Sequence, residues 1–161
     1  MSTIKRVAAH FMFFLLALSA TSLTSVEAGQ QMQETSDDSL CPRQLHRRSV
    51  EQVIEAHLAA FRSGNAALIA CDYAKNAVFM LPGTVAHGRD EIQATFAGFF
   101  QVAGPISSVL VTSTTTDKGA VLMTYKVDSQ HILVPDGVDT IVVVDGRIVL
   151  HTGYLGGLSV R

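Results

Sequence analysis

Three residues of this chain carry side chains suited to proton transfer: Asp139, His57 and His151. Asp139 opens the segment DTIVVVDGRIVLHTGY (139–154), whose other residues are mostly typical of β-strands. A carboxyl in apolar surroundings resists ionisation, so Asp139 could donate or relay a proton inside a pocket. The alternative is a solvated carboxylate at the start of a strand, beside a turn at Asp136-Gly137.

His57 lies between Ile54 and Phe61 on the apolar face of a predicted helix. An imidazole in this position could donate a hydrogen bond or act as a general base near neutral pH. It could equally be a structural histidine whose ring bonds a backbone carbonyl. The sequence leaves both interpretations open.

The role of His151 depends on the turn that contains Asp145 and Gly146. A two-residue turn would pair Asp139 with Thr152 and place His151 on the opposite face of the sheet. A three-residue loop, 144–146, would pair Asp139 with His151 and bring both side chains onto one face.

Several other chemistries have little support in the sequence. It contains no GxSxG nucleophile motif and no glycine pattern typical of nucleotide binding. His57, His151 and Asp139 are only a remote candidate set for a metal, so we expect neither a metal nor a cofactor. The net charge is −2, and the single basic cluster (43–48) is short and lacks aromatic residues. Nucleic-acid binding is therefore not expected.

Residues 1–28 have the features of a signal peptide. Lys5 and Arg6 precede an apolar run, 7–20, which is shorter than the roughly 20 residues that cross a bilayer. Cleavage is expected after Ala28, with Ala20 as a weaker alternative site and an uncleaved membrane anchor as the other interpretation. We expect a secreted or periplasmic protein with no membrane association after cleavage.

The mature part has two cysteines, Cys41 and Cys71, which form no CxxC motif. In an oxidising compartment two such thiols usually pair, so we expect a disulfide. The alternative is two unpaired cysteines, with Cys71 simply buried.

The order of predicted elements is three helices followed by a meander of strands. The predicted domains are a signal peptide (1–28), a flexible polar leader (29–48) and one folded domain (49–158). A capping box at Ser49 starts the first helix, Asn65 caps the second, and Asp90 starts a third that ends at Gly104. The predicted strands are 77–81, 106–116, 120–128, 138–144 and 147–155. This order indicates an α+β fold, in which helices cover one face of a curved antiparallel sheet and enclose an apolar cone.

Two segments resemble the SnoaL-like branch of the nuclear transport factor 2-like superfamily. They are AAFRSGNAALIACDYAKNAVFMLPGTVAHGRDEIQATFAGFF (59–100) and DTIVVVDGRIVLHT (139–152), and the resemblance covers about residues 49 to 156. It implies a cystatin-like α+β barrel in which three helices of the N-terminal half pack on the concave side of the sheet. The superfamily includes isomerases, cyclases, epoxide hydrolases, dehydratases and members with no catalysis, so the fold does not decide the function.

The resemblance also assigns expected roles to individual residues. Leu81 occupies the position of the general base of the ketosteroid isomerases, so this chain lacks that proton acceptor. His57 corresponds to their tyrosine donor, and Asp139 to an aspartic acid that stays neutral and donates a hydrogen bond. SnoaL-like cyclases use an acidic residue in this strand for acid–base chemistry. The family's pattern favours the loop that places His151 beside Asp139.

Two hypotheses for function follow. In the first, the domain binds a small hydrophobic molecule and catalyses isomerisation, cyclisation or dehydration through Asp139, His57 and His151. In the second, the domain is a noncatalytic ligand-binding or interaction module whose cone is filled by side chains. The resemblance implies a homodimer that forms through the sheet. The residues expected to line a binding pocket are Tyr73, Phe79, Leu81, Phe96 and Tyr125.

Overall fold

The computed structural model of the protein describes Cys41 and residues 45–161. The predicted signal peptide and most of the predicted leader lie outside the described residues. Leu45 is buried and belongs to a short 3₁₀ turn, Leu45–Arg47, at the start of the folded unit. The predicted leader therefore ends before this turn. The folded unit also extends past residue 158, because the last strand includes Val160.

Three helices precede most of the sheet, as expected. Helix α1 begins with the predicted capping box, in which Ser49 Oγ accepts from Gln52 N–H and the Gln52 side chain accepts from Ser49 N–H. Asn65 caps the second helix through Leu68 N–H. The third helix begins at Gly88, two residues before the predicted start, and the Glu91 side chain accepts the free N–H of His87. The helices are α1 (Val50–Arg62), α2 (Ala66–Cys71) and α3 (Gly88–Ala103).

The strands form one curved sheet that does not close into a barrel. They are β1 (Tyr73–Leu81), β2 (Thr84–His87), β3 (Ile106–Asp117), β4 (Ala120–Ser129), β5 (Ile132–Val144), β6 (Arg147–Gly156) and β7 (Ser159–Val160). Their order is β2-β1-β6-β5-β4-β3, with β7 beside β5. Strands β1 and β6 run parallel, so the sheet is mixed and not purely antiparallel as predicted. The α+β fold itself is confirmed.

The predicted turn at Asp136-Gly137 is wrong, because both residues lie inside the continuous strand β5. The chain reverses direction earlier, between Ser129 and Ile132, where Ser129 Oγ accepts from the Ile132 N–H. Asp139 therefore lies in the middle of a long strand. A position inside the strand places the Asp139 side chain over the core. A position at the start of a strand, as predicted, could have left it in solvent.

Neither predicted register for β5 and β6 is correct. The turn has two residues, Asp145 and Gly146, both with positive φ (49° and 71°), as a tight hairpin turn requires. A register shift beside Val142 then offsets the strands, so that Asp139 pairs with Gly153 and His151 pairs with Ile141. Residues two apart in register share a face. The side chains of Asp139 and His151 consequently point the same way.

Alternation along the central strands separates a buried inner face from an outer face. In β4, the side chains of Val121, Met123, Tyr125 and Val127 are buried, and the residues between them are more exposed. Helices α1 and α3 cover the inner face, where Phe96 of α3 contacts Phe79 of β1 with ring centroids 5.1 Å apart. The core therefore lies between these helices and the concave side of the sheet.

The predicted disulfide between Cys41 and Cys71 is present, and its Cα atoms are 5.4 Å apart. It joins the segment that precedes α1 to the last residue of α2. A disulfide of this kind indicates an oxidising compartment. No helix in the described part of the chain is long and apolar enough to cross a membrane.

Candidate functional site

A pocket open to solvent lies between helices α1 and α3 and the inner face of the sheet, and the empty space of about 650 Å³ that it encloses includes solvent at its mouth. Aromatic and aliphatic side chains form most of its wall, and the polar groups are few. Such a shape and lining are typical of sites for small molecules. The apolar wall includes Leu58, Phe61, Phe79, Leu81, Phe96 and Phe99, and the polar lining residues are His57, Thr95, Tyr125, Asp139 and His151.

Asp139 brings a carboxylate to this pocket from the middle of β5. Its Oδ1 accepts a hydrogen bond of 3.0 Å from the Tyr125 hydroxyl on β4. The side chain is still 12% exposed, whereas that of His151 is 2% exposed. Asp139 is therefore the member of this pair that a small molecule entering the pocket would reach first.

Two glycines make room for this arrangement. A Cβ at Gly153, which is opposite Asp139, would lie 2.8 Å from both Asp139 Oδ1 and Leu81 Cδ2. A Cβ at Gly137, opposite Tyr125, would lie within the Tyr125 ring. Each polar side chain thus bends over a cross-strand glycine, and a larger residue at either position would displace it.

His151 joins Asp139 to a more deeply buried tyrosine. Its Nδ1 is 2.5 Å from the Tyr73 hydroxyl, and its Nε2 is 3.0 Å from Asp139 Oδ2. The second contact has the distance of an ion pair but lacks the alignment of a hydrogen bond. The ring also packs edge-on against Phe79, with centroids 4.9 Å apart. Side chains from two other strands, β1 and β5, therefore hold the imidazole in place.

Tyr73 is fully buried behind His151 and is not among the residues that line the pocket. Tyr73 is the first residue of β1, and its hydroxyl contacts Nδ1 of the His151 imidazole. Phe79, Leu81, Phe96 and Tyr125 line the pocket. Leu81 contributes an apolar surface to its wall.

His57 reaches the same pocket from α1, and its ring centroid is 5.4 Å from that of His151. Behind it, its Nδ1 is 3.7 Å from Oδ2 of Asp72, a buried carboxylate at the end of α2. The Arg48 guanidinium donates to the other oxygen of Asp72 over 2.6 Å and to the Gly146 carbonyl over 3.0 Å. The site therefore has two histidines, each with a carboxylate partner.

Burial sets the protonation of several of these groups. It lowers the pKa of His57 below the usual 6.5, although the nearby negative charge of Asp72 acts in the opposite direction. Burial, with the negative charge of Asp139 as the next cause, raises the pKa of Tyr73 and of Tyr125 well above 10.0. Near neutral pH, His57 is therefore uncharged and both tyrosines keep their protons.

Asp72 and Arg48 are parts of the site that the sequence did not reveal. Asp72 follows a short helix and resembles a solvated capping residue, and Arg48 belongs to a basic cluster that resembles a solvated surface. One signal was available: Asp72 comes directly after Cys71, which a disulfide to Cys41 would draw towards the segment that contains Arg48. Pairing of these charges is only visible once the helices are packed.

The described residues contain no group of three or more His, Cys, Asp or Glu side chains arranged to hold a metal ion. Each of the two histidines has its own carboxylate partner, and the two imidazole rings lie next to one another. Their arrangement is suited to proton transfer between side chains and a molecule in the pocket.

A family model described as the SnoaL-like domain matches residues 54–151 of the chain. The chain belongs to the SnoaL-like domain family. The matched range extends from α1 through His151, so it includes both histidine–carboxylate pairs and all the residues that line the pocket except Leu155. No curated protein matches the chain.

Solved structures with a similar fold confirm the architecture of this SnoaL-like domain. An NTF-2 like protein of unknown function from Burkholderia xenovorans LB400 is 19% identical, with a TM-score of 0.56, covering 65% of this chain and 80% of its own. A protein with a ketosteroid isomerase-like fold from Catenulispora acidiphila DSM 44928, in complex with trimethylamine, is 14% identical, with a TM-score of 0.56 and coverages of 66% and 86%. A de novo designed protein with a curved β-sheet has a TM-score of 0.57 at 12% identity, with coverages of 67% and 85%. At these identities the similarity establishes the fold alone.

Proposed function

We propose that this SnoaL-like domain binds a small, mostly apolar molecule in its pocket and performs acid–base chemistry on it, of the isomerase, cyclase or dehydratase type. The observation that carries the proposal is the position of Asp139. A partly exposed carboxylate, held by Tyr125 and placed beside His151, lies at the polar end of an otherwise apolar pocket. An isolated buried carboxylate is costly, and its presence in such a pocket is typical of a functional group.

The geometry supports distinct roles for the polar groups. Asp139 would take a proton from the bound molecule and return it at a different position, which is the common element of isomerisation, cyclisation and dehydration. His151 would stabilise Asp139, since its Nε2 is 3.0 Å from Oδ2. His57, which burial keeps uncharged, would accept or deliver a second proton on the opposite side of the pocket. None of these steps uses the position of Leu81.

An open pocket also bears on the noncatalytic hypothesis. A cone filled by Phe79, Phe96 and Tyr125 would have favoured an interaction module, but these rings form the walls of an open pocket. We retain ligand binding without turnover as the second candidate, because Leu81 replaces the carboxylate of the isomerases. The two candidates share the pocket and differ in whether a bound molecule is changed.

We also propose that the protein is exported and forms a homodimer through the outer face of the sheet. The disulfide between Cys41 and Cys71 supports export to the periplasm or the extracellular space. Leu110, Leu122 and Tyr154 support the dimer, since these large side chains are exposed on β3, β4 and β6. Neither proposal requires nucleic acid or a membrane as a partner after cleavage.

The test combines binding with turnover. A panel of hydrophobic carbonyl compounds, alcohols and epoxides is incubated with the wild-type protein, and mass spectrometry and NMR detect binding and conversion. Conversion is expected for at least one class, and Asp139→Asn should reduce it by about a hundredfold or more, as loss of a general base does. Asp136→Asn, which makes the same change at an exposed position of β5, is the matched control and should keep the wild-type rate. Binding without conversion would leave the noncatalytic candidate, and the absence of any binding at the pocket would contradict both.

A further inference from the structure

The hydrogen-bond donors of the pocket are directed into the protein and not towards its cavity. The Tyr125 hydroxyl has a single proton, which it donates to Asp139 Oδ1. The Thr95 hydroxyl donates to the Glu91 carbonyl over 2.8 Å. Both hydroxyls therefore present only oxygen lone pairs to a molecule in the pocket.

The ring nitrogens of His151 are also turned away from the cavity, towards two polar partners. One of its nitrogens faces the Tyr73 hydroxyl and the other faces the Asp139 carboxylate. The negative charge of Asp139 favours the tautomer with the proton on Nε2, and Nδ1 then accepts the proton of the Tyr73 hydroxyl. In this state Tyr125 donates to Asp139 and Tyr73 donates to His151, while the Nε2 atom of His151 lies 3.0 Å from Asp139 Oδ2 without the alignment of a hydrogen bond.

The same reasoning applies to His57. The Asp72 carboxylate lies 3.7 Å from Nδ1 and favours the proton on that atom. Nε2 then carries a lone pair, and His57 lines the pocket as an acceptor. None of the described residues that line the pocket is Lys or Arg, so no fixed cation offsets Asp139 there.

We propose that the pocket selects molecules that carry a hydrogen-bond-donating head group, a hydroxyl or a protonated amine, on an apolar body, and discriminates against carbonyls and carboxylates. This inference rests on the proposed function, because it names the substrate class of the same site. It reverses the role that the resemblance implied for Asp139. A neutral aspartic acid would donate to a carbonyl oxygen, whereas Oδ1 of Asp139 already accepts the Tyr125 proton, and an ionised Asp139 would have acceptor capacity left for a ligand.

Four probes with one ring and different head groups test the proposal: cyclohexanol, cyclohexylamine, cyclohexanone and cyclohexanecarboxylate. Each is titrated into the protein at pH 7, and NMR shifts of residues in the pocket give its affinity. Cyclohexanol or cyclohexylamine should bind about tenfold more tightly than cyclohexanone, because a carbonyl leaves the carboxylate without a partner. Cyclohexanecarboxylate should bind most weakly because of charge repulsion. Comparison of cyclohexanol with cyclohexylamine distinguishes a neutral donor from a charged one. Cyclohexylamine is expected to bind more tightly, since it also supplies a positive charge.

Asp139→Asn sharpens the test because its amide can donate. The preference for cyclohexanol over cyclohexanone should shrink or reverse in this variant, whereas Asp136→Asn should keep the wild-type order. Thermal unfolding establishes whether both variants are folded. The order of probe affinities for the wild-type protein can be measured without either variant. If cyclohexanone binds the wild type as tightly as cyclohexanol and cyclohexylamine, the selectivity proposal is wrong and the proposed function stands. If no probe moves a pocket residue, the proposed function fails as well.

Discussion

At the scale of single residues, the site depends on the contact between Asp139 and His151, whose Oδ2 and Nε2 atoms are 3.0 Å apart. The types of these residues were predictable from the sequence, and their partners only partly so. His57, His151 and Asp139 stood out because titratable side chains interrupt apolar patterns. The contact between Asp139 and His151 depended on register, and the irregularity beside Val142 produced a register that neither predicted turn contained. Bulges of this kind leave little trace in a single sequence.

Gly153 provides a sharp test at this scale. In Gly153→Ala the new Cβ would meet Asp139 Oδ1 and Leu81 Cδ2, each at 2.8 Å, so the carboxylate must move. We expect a loss of about 1–3 kcal/mol in the free energy of unfolding, measured by urea denaturation, and weaker binding of pocket ligands. Gly98→Ala is the control, since its Cβ would meet nothing within 4 Å and alanine favours the helix α3. A Gly153→Ala variant as stable as the wild type would show that the pocket is less tightly packed than the structure indicates.

His57 should make the stability of the domain depend on pH. Burial lowers its pKa in the folded state, so the unfolded chain, with an ordinary value near 6.5, binds more protons in the interval below that pH. The stabilisation that neutral His57 permits is therefore lost as the pH falls below about 6.5. His57→Gln should flatten the slope of unfolding free energy against pH between about 5 and 7, and His46→Gln serves as the control for an exposed histidine. An unchanged slope in His57→Gln would contradict the assignment of a buried neutral ring.

At the scale of elements, local signals predicted the helices well and the strand ends less well. The capping box at Ser49 and the glycine at 104 act within a few residues, so their effect is visible in the sequence. The interior position of Asp136-Gly137 was missed because this pair usually marks a turn. Here Gly137 instead makes room for the ring of Tyr125, which is a tertiary contact.

The disulfide is the element-scale feature whose removal is easiest to measure. It closes a span of 30 residues that contains α1 and part of the support of His57. Replacing both residues, Cys41→Ser with Cys71→Ser, should lower the free energy of unfolding by about 3–4 kcal/mol on the loop-entropy estimate. A reducing agent should destabilise the wild type by a similar amount and leave the double variant unaffected. Equal stability of all the forms would show that the bond does not constrain the unfolded chain.

At the scale of the whole molecule, the architecture was predictable because the sequence of three helices and a strand meander has few compact solutions. The parallel pairing of β1 with β6 was not predictable, since no local pattern in the sequence indicates which strands pair across the fold. The de novo designed protein with a curved β-sheet has a similar fold at 12% identity, so this architecture follows from general rules of sheets and helices and does not by itself assign a function.

The proposed dimer belongs to this scale. Leu122 is 49% exposed and Tyr154 is 58% exposed on the outer face of the sheet. Leu122→Glu should convert a dimer to a monomer by introducing a charge into an apolar contact, and light scattering coupled to size-exclusion chromatography measures the mass. Val85→Glu, which adds the same charge to an exposed apolar position on β2, should remain dimeric. A monomeric wild type at micromolar concentration would contradict the proposal.

The parallel pairing of β1 and β6 has a consequence for how the protein folds. Tyr73 and His151 are 78 residues apart in sequence, whereas β3 to β6 join their neighbours through short turns. Contacts that close long loops are entropically the most demanding, so the local hairpins are expected to lead the rate-limiting step and the β1–β6 contact to follow it. Substitutions at Phe79 should then accelerate unfolding more than they slow refolding. The pocket would therefore be completed last during folding, because only the β1–β6 contact brings the wall from β1 against the imidazole from β6.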